Sequence, residues 1–245
     1  MERVTVEDVP SWSYRGLELF MLVPMILSVL FGLGILVVGL MSLGSSPTGT
    51  AAGAGAGTAA SATGAETGGT GFLALAGGIA IVWLLAIVIG LLSIVGIPLC
   101  LYLDAKKVAD QDLDWEPEPV LYLILGFFVS GIAVLHYLYK RHEYVIDWVG
   151  SETWWYAALV GAAVGIVAVA GSVVNPLTLG IALIALPLFV IGIYKDSVYV
   201  RLNSDWRPNP VNHFLIALLS TILVIPGVFY FGYFAYKRHN AIGIV

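Results

Sequence analysis

What most constrains this chain is the length of its uncharged apolar runs. Six can be drawn, at about 17–43, 71–103, 119–139, 153–173, 177–194 and 211–236, and Glu18 is the one Asp, Glu, Lys or Arg inside any of them. About 20 apolar residues in α-helix cross a hydrocarbon layer of ~30 Å. Within that layer each backbone N–H and C=O must be satisfied by the segment itself, which leaves the helix as the natural solution for such runs. The expected fold class is therefore all-α: a polytopic transmembrane helix bundle of about six spans in the cell membrane. Composition agrees, because 59% of residues are hydrophobic and 11% charged, against roughly 25% charged in soluble domains.

Charge and cysteine usage narrow the partners. The net charge is -5, and Asp104, Asp110, Asp112, Asp114, Glu116 and Glu118 crowd between the second and third runs, so nucleic acid is excluded as a partner. A single cysteine, Cys100, provides neither a disulfide framework nor a thiolate metal site within one chain. Residues 1–16 carry Glu2, Arg3, Glu7, Asp8 and Arg15 without a short apolar core. They read as an extramembrane segment and not as a removable signal peptide, which makes 17–43 a permanent first span.

Residues 44–70 are almost wholly Gly, Ala, Ser and Thr, with Pro47 and Glu66, a composition expected of a disordered linker. The run that follows would be about 50 Å long as a helix, so it must tilt, protrude or break. Pro98 is the expected break. The remaining chain divides into a first hairpin unit, 71–142, and a second unit, 153–239, that holds spans four to six.

Those two units share a motif. Tyr102, Asp104 and Val108 precede Asp114-Trp115-Glu116-Pro117-Glu118-Pro119, and the apolar run that follows closes on Tyr139-Lys140-Arg141-His142. Tyr194, Asp196 and Val200 precede Asp205-Trp206-Arg207-Pro208-Asn209-Pro210, and that run closes on Tyr236-Lys237-Arg238-His239. Two matched sets rich in Trp, Pro and His, in one order, point to an internal duplication. The unit from Pro98 to His142, and again from Pro187 to His239, resembles small membrane proteins of uncharacterised activity, many of them haloarchaeal. The resemblance covers less than half of the chain and implies an architecture but no chemistry.

Three apolar runs per half is an odd number, so six full crossings would leave the second half inverted relative to the first. Alternating sides then puts Arg3, Arg15, Lys106, Lys107, Lys237 and Arg238 on one face and Lys140, Arg141, Lys195, Arg201 and Arg207 on the other. That near balance gives no orientation by the positive-inside rule.

The matched polar residues lie at the ends of the runs. In Tyr139-Lys140-Arg141-His142 and Tyr236-Lys237-Arg238-His239, the ring suits the headgroup level and the basic stems can snorkel to water. These residues, with Trp115 and Trp206, are expected to be interface anchors or contacts to an anionic lipid headgroup. Pro119 and Pro210 suit the first turn of a helix. Asn209 is a good N-cap and Glu118 a poorer one. Gly161 and Gly165, and Gly126 with Ser130, present small side chains where helices can approach closely, either within the chain or between copies.

No catalytic, cofactor or metal residue is assigned. Asp110, Asp112 and Asp114 alternate like the start of a calcium loop, but Trp115 occupies the position that needs glycine and Leu121 that of the bidentate glutamate. His142 and Asp147 fit a short acyltransferase-like spacing that the second unit lacks. No span carries an ionisable carboxylate or amine at its middle, where relays and ion-coupled carriers place them. The expectation is a non-enzymatic structural, lipid-contacting or partner-binding component without a cofactor. Its partners would be membrane lipids, together with a membrane protein or a second copy of itself. The alternative is a small-solute transporter or channel built on inverted repeats, with Pro98, Pro187 and Pro226-Gly227 interrupting its helices.

Overall fold

The computed structural model describes residues 4–5, 12–44, 65–146 and 151–243. Eight helices follow in order: α1 (Trp12–Gly44), α2 (Ala65–Ala109), α3 (Pro119–Phe128), α4 (Ser130–Tyr144), α5 (Thr153–Gly171), α6 (Thr178–Asn203), α7 (Pro210–Ile222) and α8 (Val224–Ile242). Two short strands, β1 (Val4–Thr5) and β2 (Val145–Ile146), pair in parallel. Four helices are long and apolar enough to cross a membrane: α1, the Trp83–Ala109 part of α2, α5 and α6. The chain is thus an all-helical integral membrane protein.

The second run does not break. α2 continues through Pro98 for 45 residues, about 67 Å at 1.5 Å per residue, so it protrudes from a ~30 Å layer. It begins at Ala65 and so takes in the last residues of the expected linker; residues 45–64 lie outside the described residues. α6 likewise runs unbroken through Pro187.

The third and sixth runs differ from expectation. Each is divided by one non-helical residue, Val129 (φ -139°, ψ 44°) and Leu223 (φ -108°, ψ 82°), into two helices that fold back on each other. Tyr122 and His136 are hydrogen-bonded at 3.1 Å across the first pair, and His213 and Tyr230 at 2.8 Å across the second. Straight helices would hold such residues more than 20 Å apart. In the second turn a Cβ on Gly227 would stand 2.6 Å from the Ser220 carbonyl oxygen, so glycine permits the close approach. Pro226 falls in the first turn of α8, where its missing N–H costs little. These doubled-back pairs stand where the six-span reading has full crossings.

The helix directions follow from their contacts. Gly16 meets Cys100 and Gly96 meets Phe20, so α2 ends where α1 begins. Ser28 donates to the Leu183 carbonyl oxygen at 3.2 Å and Gly32 lies against Gly180, so α6 also runs antiparallel to α1. Gly161 against Phe189 and Gly192 against Ala158 set α5 antiparallel to α6. The two halves accordingly run in the same direction, not inverted. The start of α1, the ends of α2 and α6, and both feet of each helical hairpin gather at one end of the bundle.

One apolar core holds this end together, including Leu17, Leu101, Tyr137, Leu138, Val190, Tyr194, Phe214 and Phe234. Gly161 and Gly126 serve contacts within the chain: a Cβ would come to 2.3 Å from the Phe189 backbone nitrogen and 2.8 Å from the Pro98 Cα, respectively. Gly165 has ordinary clearance to Ala185, and Ser130 is half-buried at the start of α4.

Candidate functional site

The polar residues that recur in the two halves meet at the gathered end. Asp104 lies in the last turns of α2, and the returning α4 brings Arg141 to it. Arg141 donates its Nε–H to Asp104 Oδ2 at 2.9 Å, and Tyr137 donates its hydroxyl to the same oxygen at 2.7 Å. Both members of the ion pair are fully buried. The Tyr14 ring lies 3.8 Å from the guanidinium carbon and roofs it from α1.

The second half repeats the arrangement. Arg238, on the returning α8, donates through Nε to Asp196 Oδ1 and Oδ2 at 3.2 and 3.0 Å, and both side chains are again buried. Its Nη1 donates to the Gly243 carbonyl oxygen at 2.9 Å, and the Trp155 ring takes the roofing position 4.8 Å away. A charge removed from water needs a nearby partner of opposite sign, and these pairs supply it. Trp115 packs at a tilt on Tyr137, and Trp206 likewise on Phe234, each ring covering the helix just before the Tyr-Lys-Arg-His tetrapeptide.

The anchor reading therefore separates residue by residue. Arg141, Arg238 and His142 are buried, so in place of snorkelling to headgroups these two arginines face inward to aspartates. Tyr236 and His239 are exposed and Lys237 is half-buried. Lys140 pairs with Glu143 at 3.0 Å near the surface. Tyr139 is half-buried and its carbonyl oxygen accepts from the Asn209 side chain at 3.0 Å, joining the two hairpins at their feet. Trp115 and Trp206 are half-buried and committed to the aromatic contacts above.

Other polar groups tie the halves together. His142 is hydrogen-bonded through Nε2 to the Tyr194 hydroxyl at 3.1 Å. Asp147, its acyltransferase-like partner by spacing, lies outside the described residues. His142 and His239 stand at the same end of the bundle, not on opposite faces. Lys195 pairs with Glu18, linking α6 to α1. Among the described residues no three of His, Cys, Asp and Glu stand close enough to hold a metal ion.

Two spaces deeper in the bundle have largely apolar linings. A cavity of about 230 Å³ lies between α1, α2, α4 and α7, lined by Met21, Pro24, Ile97, Val134 and Phe214 among others. A second, of about 160 Å³, lies between α5, α6 and the tip of the α7–α8 hairpin, lined by Gly165, Val169, Leu183, Phe189 and Phe231 with Ser220 and Thr221. Both hydroxyls donate to carbonyl oxygens of their own helix, at 2.7 and 2.6 Å, so neither needs a ligand.

The Asp–Arg pairing escaped a reading of motifs taken one at a time. Its signal was nevertheless present: an aspartate before each Trp-Pro link and an arginine after each apolar run recur together, with opposite charge, in both halves. No family model, curated protein or solved structure matches the chain.

Proposed function

We propose that this protein is a lipid-contacting structural component of the cell membrane, with four spans and two hairpins that enter the bilayer from the charged end and return to it. It works through its shape and surface, not through catalysis or transport. The observation that carries this reading is the division of its interior. The paired charges sit at one end, and the cavities at greater depth are apolar with their hydroxyls satisfied. A carrier needs polar groups or open backbone along its path. Unbroken helices through Pro98 and Pro187, and halves that run in one direction, weigh against the transporter alternative, of whose three expected interruptions the one beside Pro226-Gly227 is present, at Leu223.

The topology also supports one orientation of the chain. The two basic sets that six alternating spans would separate stand together: Lys106, Lys107, Lys140, Lys195, Arg201, Arg207 and Lys237 are all in or next to the ends that gather with the start of α1. The opposite end, at Asn175-Pro176, has no lysine or arginine. By the positive-inside rule the charged end faces the cytoplasm. In this reading the matched motifs are an internal duplication of a span followed by a hairpin.

Single cysteines at Lys140, Lys237 and Asn175, in a Cys100→Ser background, test the arrangement. An impermeant thiol reagent should reach the first two from one side and the third from the other. Labelling of Lys140→Cys and Lys237→Cys from opposite sides would overturn it. Vesicles containing the protein should retain trapped small solutes as long as empty vesicles do, and faster release would favour the carrier.

A further inference from the structure

We infer that the protein is a membrane wedge, wider in the leaflet at its charged end than in the opposite leaflet, and that it therefore concentrates on membrane convex toward that end. The inference rests on the span-and-hairpin reading above and assigns that reading a mechanical consequence. At 1.5 Å per residue the ten residues of α3 reach about 15 Å, and the thirteen of α7 about 20 Å, into a hydrocarbon core of ~30 Å. All eight helices thus cross the charged-end leaflet; the first hairpin ends there, the second reaches the level of Val169 and Leu179, and α1, α2, α5 and α6 continue to the far end.

Exposure along single helices records the change in crowding. In α2, Leu101, Asp104, Ala105 and Val108 are fully buried at the charged end. About 25 Å further along, Leu84, Leu85, Ile87, Val88, Leu91 and Leu92 are all exposed. Those six positions lie on about half of the helix circumference, and Ala86, Ile89 and Ser93 on the other side are half-buried, so α2 keeps protein against one face only at this depth. Phe128, at the tip of the first hairpin, is 83% exposed. The second hairpin goes deeper, its Thr221 and Val228 lining a cavity with Val169 and Leu179, so the taper is steeper on the α2 side.

The two helices of the first hairpin, each of ~10 Å diameter, add on the order of 150 Å² to one leaflet. Lipid cannot be packed equally in both leaflets around such a body while the bilayer stays flat. Bending toward the wider end relieves the mismatch, so the protein is more favourably placed on curved membrane.

The test uses the full chain carrying a fluorophore at Lys140→Cys in the Cys100→Ser background. It is reconstituted into vesicles of phosphatidylcholine with a minority of phosphatidylglycerol and a wide spread of diameters. Protein density per membrane area is read vesicle by vesicle, and an impermeant quencher reports which end faces out. Density with the charged end outward should rise several-fold from the largest to the smallest vesicles. Uniform density, or enrichment with the charged end inward, would overturn the wedge. The Lys140→Cys and Lys237→Cys labels in the same vesicles separate the two ideas: same-side labelling with uniform density defeats the wedge alone, and opposite-side labelling defeats the hairpin reading together with it.

Discussion

Arg141 reaches back across 37 positions to donate to Asp104 at 2.9 Å in a fully buried ion pair. This bond fixes where the first hairpin ends, because α4 can satisfy Arg141 only by returning to the end of α2. Removing one partner leaves the other charge buried and alone, which costs about 3–5 kcal/mol. Asp104→Asn and Arg141→Gln should each lower stability by that order in denaturant titrations in detergent. The double variant Asp104→Leu with Arg141→Met should recover much of the loss. Single variants as stable as the parent protein would show that the pair is solvated.

The neighbouring lysines should behave differently. Lys140 pairs with Glu143 near the surface and Lys237 is half-buried, so Lys140→Gln and Lys237→Gln should each change stability by less than about 1 kcal/mol. Arg238→Gln, one residue after Lys237, should match Arg141→Gln. Equal effects at all four positions, measured in one detergent, would contradict the inward placement of the arginines.

Glycine substitutions test the α5–α6 contact. A Cβ at Gly161 would lie 2.3 Å from the Phe189 backbone nitrogen, and one at Gly90 meets nothing within 4 Å. Gly161→Ala should cost about 1–3 kcal/mol through overpacking. Gly90→Ala should cost nothing, and the comparison of thermal midpoints in one detergent checks both.

The two hairpins differ in how they are started. Asn209 accepts from the Val211 N–H at 3.1 Å and donates to the Tyr139 carbonyl oxygen, whereas Glu118 makes no capping bond. Asn209→Ala should cost about 1–2 kcal/mol and Glu118→Ala a few tenths. Equal costs in denaturant titrations would refute the difference.

Several of these features were legible in the sequence. Pro119 and Pro210 at helix starts and Asn209 as a cap follow from local chemistry, which does not depend on distant parts of the chain. The all-helical membrane class followed from run length, because a hydrocarbon layer leaves backbone groups few other ways to be satisfied. The repeated aspartates and arginines were visible as recurring residues, though not as partners.

Tertiary structure decided whether an apolar run crosses or turns back. The stretch from Pro119 to Tyr139 has the hydropathy of a span, and a helix interrupted at Val129 satisfies nearly the same backbone bonds as a straight one. Apolarity therefore does not distinguish the two. The deciding terms lie between segments: Gly126 packed on Pro98, Tyr122 bonded to His136, and above all the buried charges of Asp104 and Arg141. An ion pair out of water is costly to separate, whereas a one-residue helix break is mild, so the chain doubles back. Direction and the parallel relation of the halves follow from that choice.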